Sequence, residues 1–190
     1  SYKSDEYGCN EGKKIIVGEF RRVNKMSLLS IRSSLFKWFL LAGLIFLLDQ
    51  WVKLIIIENI SLYERVKIND FINITHQRNP GAAFSFLADA GGWQRWFLST
   101  IAIAVCLYIV YWLNELKREN KVLLPYGLSL VLGGALGNLF DRIMLGYVTD
   151  YFQVLIFGWP FPSFNVADAA ISIGAVLIIV DAVKNGLEQT

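Results

Sequence analysis

Histidine and cysteine are almost missing from this chain. His76 is the only histidine of 190 residues, and Cys9 and Cys106 are the only cysteines. A single histidine excludes a multi-histidine metal site. Cys106 lies inside an apolar run and Cys9 in a polar head, so no structural disulfide is expected, and there is no CxxC metal or redox motif. Charge is scarce as well, at 18% of residues, against about 25% in soluble proteins. The net charge of +2 is too small to suggest a nucleic-acid partner, and no basic stripe stands outside the N-terminal region. Ser85 and Ser99 have no adjacent base, and no Ser/His or Cys/His nucleophile pair is visible.

Apolar residues take the place of what is missing, at 55% of the chain. They concentrate in stretches near the roughly 20 residues that cross a bilayer. The expected spans are about 35–57, 96–113, 122–140 and 166–183. Backbone groups in hydrocarbon must be satisfied within their own segment, so these spans should be helices. Residues 1–25 are polar and without period. They read as a disordered or added head, with Met26 as a natural start and 26–190 as a single membrane-embedded domain. No small-residue cleavage site follows a short apolar core, so the head does not read as a cleavable signal peptide.

Basic residues set the expected orientation. Arg21, Arg22, Lys25, Arg32 and Lys37 precede the first span, Lys117, Arg118 and Lys121 separate the second from the third, and Lys184 follows the fourth. Both termini should then be cytoplasmic, with loops 58–95 and 141–165 outside. In the first of these, Val66, Ile68, Ile72 and Ile74 alternate with polar residues around Asn69-Asp70, a hairpin pattern with a turn-forming centre. Ala82–Leu87 is apolar enough to lie on the membrane surface. Trp93, Trp96, Tyr147, Tyr151 and Trp159 suit an outer aromatic belt, and Tyr111 and Trp112 an inner one. The small residues Gly133, Gly134 and Gly137 in the third span, with Ala167, Ala170, Ser172, Gly174 and Ala175 in the fourth, predict closely packed helices.

Ionisable residues near hydrocarbon cost roughly 2.5–3.5 kcal/mol on insertion scales and tend to be kept for function. Asp150 and Asp168 bracket a short aromatic loop between two apolar stretches. Folded toward each other, they could share one proton, so that an acid and a base coexist. Each also has a plainer reading. Asn165 could cap the fourth helix with Asp168 at its third position, favouring the helix dipole, and Asp150 could be a solvated loop residue. Asp49 and Lys53 have the spacing of an intrahelical pair, expected to tether the first helix to the outer loop. Asp141 reads as part of a helix-end ion pair and cap, and Arg142 as a donor to a backbone carbonyl. Turn chemistry accounts for Asn79, ahead of Pro80-Gly81, and an ordinary turn for Asp89. His76 reads as an exposed or interfacial strand residue. Asp181 reads as snorkelling to water.

Five segments together resemble the lipoprotein signal peptidase (signal peptidase II) family. They are Leu48–Lys53, Arg78–Ser85, Gly133–Arg142, Val148–Asp150 and Phe164–Asp168, in the family's order. The resemblance covers about 35–184, and Pro80 departs from it, where Tyr or Thr is more usual. It implies an all-α membrane fold of four transmembrane helices with a small extracytoplasmic β-cradle, about 60–90. The implied activity is that of an aspartic endopeptidase of the bacterial inner membrane, with its site toward the periplasm. It would remove signal peptides from diacylglyceryl-modified prolipoproteins by cutting before the lipidated cysteine. Asp150 and Asp168 match the catalytic pair. Asn79, Asn138, Arg142 and Asn165 match polar residues lining the site, and Asp49, Lys53 and Asp141 are taken as structural. The implied enzyme needs no cofactor or metal, works among membrane lipids and is expected to be a monomer. A second reading is a small transporter or channel subunit, with Asp49, Lys53, Asp150 and Asp168 as an ion relay. Its polar residues would gather at one face, and no broken-helix repeat is evident.

Overall fold

Long apolar runs become helices in the computed structural model, which describes residues 35–81, 92–116 and 123–187. Four helices are long and apolar enough to cross a membrane: α1 (Leu35–Asn59), α2 (Trp93–Glu115), α3 (Leu123–Met144) and α4 (Val166–Leu187). In α3, 67% of the most apolar window is buried, against 22% in each of the others, so α3 is the central helix. α3 runs on to Met144 beyond its apolar span, which carries Asp141 and Arg142 on the helix.

Small residues on α3 admit its neighbours. A Cβ on Gly133 would lie 2.6 Å from the carbonyl oxygen of Ala42 on α1, and one on Gly134 would collide with that of Ala167 on α4. One turn-set deeper, Gly127 and Gly174 each face the other's backbone carbonyl. The small-residue pattern therefore packs α3 against α1 as well as against α4, at backbone distances that side chains would block. Ser172 and Ala175 fall outside the packed face: both are exposed, and the Ser172 hydroxyl donates to the carbonyl of Asp168 at 2.8 Å. The core on the α2 side is aliphatic, with Cys106, Ile109 and Leu113 packed against Leu124, Leu128 and Leu132.

The sheet has four antiparallel strands in the order β1 (Arg65–Lys67), β2 (Ile72–Asn79), β3 (Val148–Ile156) and β4 (Trp159–Pro160). The expected hairpin is β1–β2, and Asn69 builds its turn by accepting from the N–H groups of Phe71 and Ile72, both at 2.8 Å. The sheet is not confined to 60–90. Half of its strands come from the 141–165 loop, where Asp150 and Gln153 interrupt the alternation that would mark a strand. Polar residues are buried in it, among them Asn73, Thr75 and Gln153, while Val66 and Phe152 are exposed. Phe157 and Gly158 both have positive φ (51° and 81°) and close the β3–β4 hairpin in the manner of a two-residue turn.

Three expectations fail on burial. Tyr151, expected in the outer aromatic belt, is 1% exposed. His76 is buried, its Nδ1 donating to the carbonyl of Ile60 at 2.8 Å, because a bulge in β2 breaks the alternation that would have faced it outward. Asp181 does not snorkel; it is buried on the packed face of α4 that carries Ala167, Ala170 and Gly174, and accepts from Asn185 at 2.7 Å. Ala82–Leu87 and Asp89, the N-terminal head with Cys9 and Met26, and the basic residues Lys117, Arg118 and Lys121 lie outside the described residues.

Candidate active site

The first N–H groups of α4 have no intrahelical partners, and they organise the polar end of the bundle. Val166 N–H donates to the Tyr151 hydroxyl oxygen at 3.1 Å, Ala167 N–H to Asp49 Oδ1 at 2.9 Å, and Asp168 N–H to Asn165 Oδ1 at 2.8 Å. Asp168 Oδ2 accepts in return from the Asn165 N–H at 3.3 Å. Asn165 and Asp168 thus form a capping box, the expected helix start, with the carboxylate held by its own cap.

Asn165 also reaches the second aspartate. Its Nδ2 lies 2.8 Å from Asp150 Oδ1, 3.2 Å from Asn138 Oδ1 and 3.4 Å from the Thr149 carbonyl. Asp150 Oδ2 accepts from Asn79 Nδ2 at 2.9 Å. The turn reading of Asn79 holds at the same time, since its Oδ1 accepts from the Gly81 N–H at 2.9 Å. Asn138 donates from Nδ2 to Asp168 Oδ1 at 2.7 Å. Three asparagines, from β2, α3 and the start of α4, therefore hold both carboxylates.

Asp150 is only 3% exposed. Burial, and then the neighbouring charge of Asp168, push its carboxyl up to about 7, against the opposing pull of the Asn79 and Asn165 donors and of Lys53. Asp168 is half-buried and lies on the wall of a cavity of about 290 Å³ with Asn138 and Arg142. The rest of that wall is apolar and includes Leu98, Ile101 and Val105 of α2 and Ile171 of α4. An apolar channel with a carboxylate, an amide and a guanidinium at one end suits an extended, mostly apolar ligand with one polar linkage. Arg142 donates to the carbonyl of Asn138 at 3.3 Å, and its Nε is buried without a hydrogen-bond partner among the described residues.

Beneath the aspartates lies a closed ionic layer. Lys53 Nζ meets Asp49 Oδ2 at 2.6 Å, Asp141 Oδ2 at 2.9 Å and Asn138 Oδ1 at 3.2 Å, filling its three donor positions. The Asp49–Lys53 pair is present as expected, but it ties α1 to α3 and to the start of α4 rather than to the outer loop. Asp141 pairs with Lys53 on α1 rather than within its own helix end, and its Oδ2 also accepts from the Thr149 N–H at 3.1 Å. Gln50 is the residue that sequence reasoning passed over. Its amide lies 3.2 Å from Asp49 Oδ2, 3.2 Å from the Gly137 carbonyl and 3.0 Å from Asp141 Oδ1. Being uncharged, it gave no cost signal; its place one residue after Asp49 was the only hint. Among the described residues no group of His, Cys, Asp and Glu side chains could hold a metal ion.

Known proteins resemble this chain over most of its length. The family model described as signal peptidase (SPase) II matches residues 41–184. A lipoprotein signal peptidase of Alteromonas mediterranea is 47% identical over 151 residues, covering 80% of this chain and 81% of the relative. One of Ectopseudomonas mendocina is 49% identical over 150 residues, covering 78% and 88%. A solved structure, described as a bacterial membrane enzyme structure by the in meso method at 2.3 Å resolution, superposes with a TM-score of 0.71 at 32% identity. That match covers 81% of this chain and 92% of the other. On the strength of the matched residues and the relatives' identity across most of its length, the chain belongs to the signal peptidase II family.

Proposed function

We propose that this chain is an aspartic endopeptidase that removes signal peptides from prolipoproteins whose cysteine carries diacylglycerol, cutting just before that cysteine. Asp150 and Asp168 are the catalytic pair. The observation that carries the reading is the double hold of Asn165, which donates to Asp150 through its side chain and to Asp168 through its backbone. Two carboxyls held by one residue can act as a single acid–base unit.

One carboxylate draws a proton from a water molecule, and the water oxygen attacks the scissile carbonyl carbon. The protonated partner donates to the carbonyl oxygen, and the proton returns to the departing amine as the C–N bond breaks. Asp150, raised to about 7, is suited to carrying the shared proton at neutral pH. One proton is shared between the two carboxyls, so that an acid and a base stand side by side. Arg142, whose Nε has no hydrogen-bond partner among the described residues, orients the substrate backbone beside Asp168. The apolar channel takes the apolar part of the substrate, and Asn79, Asn138 and Asn165 hold the carboxyls in register.

The site lies at the end of the bundle where α3 leaves and α4 enters, beside the sheet. The basic residues before the first helix and between α2 and α3 support cytoplasmic termini and a site on the periplasmic side of the bacterial inner membrane. The test is a gel-shift assay with purified protein on one prolipoprotein in two forms, diacylated and unmodified. Cleavage of the diacylated form alone is expected; equal cleavage of both, or of neither, contradicts the reading.

A further inference from the structure

His76 lies outside the carboxylate cluster, yet it occupies the point where β2 loses its alternation. Ile74 pairs with Phe152 and Gln77 with Asp150, so Thr75 and His76 together stand opposite Tyr151. Phe152 and Asp150 are two residues apart on β3, whereas their partners are three apart on β2. This is a β-bulge, one extra residue in one strand. Both residues of the bulge are buried, Thr75 at 0% and His76 at 4% exposure.

The bulge decides which way Asn79 points. Beyond it, Asn79 pairs with Val148, on the face that Asp150 shares, and donates to Asp150. A regular β2 would turn every later side chain to the other face. Backbone bonds hold the bulge from the β1 side: Tyr63 N–H donates to the His76 carbonyl at 2.8 Å, and His76 N–H to the Glu64 carbonyl at 3.3 Å. The ring adds the tie to Ile60, just past α1, at 2.8 Å, and a carbonyl can only accept, so Nδ1 carries the proton. Nε2 is buried with no partner among the described residues. An aliphatic side chain would avoid the cost of that unpaired nitrogen, so the Nδ1 bond must offset it.

We propose that His76 is a positioning residue: by pinning the β2 bulge to the residue that follows α1, it sets the face from which Asn79 reaches Asp150. This rests on the reading of Asp150 as catalytic. The test measures kcat and KM on a diacylated prolipoprotein for His76→Leu, His76→Gln and His76→Asn, alone and with Asn79→Ala. Asn places its amide near the Nδ1 position, and Gln places it near Nε2. His76→Leu and His76→Gln should lower kcat about tenfold with KM within about twofold, while His76→Asn stays within about threefold of the parent. In the Asn79→Ala background, the same His76 changes should cost less than about twofold more. The pH profile gives a second readout. Asn79 lowers the carboxyl pKa of Asp150, so His76→Leu and Asn79→Ala should move the alkaline limb of kcat upward alike.

Equal losses in both backgrounds would mean that His76 acts only on general stability, and would overturn the proposal. Parent-like activity of His76→Leu, or equal activity of the Gln and Asn variants, would do the same. If His76→Leu fails to fold, the Gln and Asn pair carries the comparison. Asp150→Asn in the same assay separates the two readings, since its activity reports on the carboxyl pair alone.

Discussion

Asn165 Nδ2 lies 2.8 Å from Asp150 Oδ1, and this contact joins the cap of a membrane helix to the middle of a strand. The cap of α4 and the proposed catalytic role of Asp150 therefore meet in one side chain. Asn165→Ser separates them. Serine caps about as well as asparagine, but its short hydroxyl cannot span to Asp150. Thermal unfolding should stay within a few degrees of the parent while kcat falls about tenfold. A parallel loss of both would mean that the cap alone is at stake.

The pH dependence follows from Asp150. Its carboxyl is raised from the ordinary 3.8 to about 7, chiefly by burial. The fold thus favours the protonated form. That contribution to stability is complete below about pH 4 and is lost as pH rises through about 7. Activity that needs one shared proton should likewise decline on the alkaline side of about 7. A kcat profile still rising well above that pH would contradict it.

Lys53→Met leaves Asp49 and Asp141 buried at 0% and 1% exposure without their cation. Removing one partner of a buried pair costs about 3–5 kcal/mol. A large drop in unfolding temperature in detergent is expected, and an unchanged one would show that the layer contributes nothing.

Gly137→Ala and Gly43→Ala should differ in sign. A Cβ on Gly137 would lie 2.6 Å from Asp49 Oδ2, whereas one on Gly43 meets nothing within 4 Å. Overpacking costs about 1–3 kcal/mol, while replacing an open helix glycine gains about 0.5–1 kcal/mol. Unfolding temperatures of the two variants decide it.

The site was legible in the sequence where a residue carried a cost. Asp150, Asp168, Asp49 and Lys53 stood out because charge is expensive near hydrocarbon. The four spans were legible for the same solvent reason, through apolar runs long enough to cross. Partners distant in sequence were not legible: nothing local announces that Asp141 meets Lys53 on another helix, so its own neighbour Arg142 was the nearest cation to choose. Gln50 was hidden by its neutrality. β3 was hidden because Val148-Thr149-Asp150-Tyr151 buries consecutive residues and shows no period of two. His76 was misplaced for a related reason, since a bulge is a break in the period on which strand reading rests.

Asp150 and Asp168 are proposed to act as one acid–base unit. The most direct measurement is the cleavage rate of a diacylated prolipoprotein by Asp150→Asn and by Asp168→Asn, each first shown to unfold at the parent's temperature. Either substitution alone is expected to abolish detectable cleavage. Cleavage at or near the parent rate in either variant would contradict it.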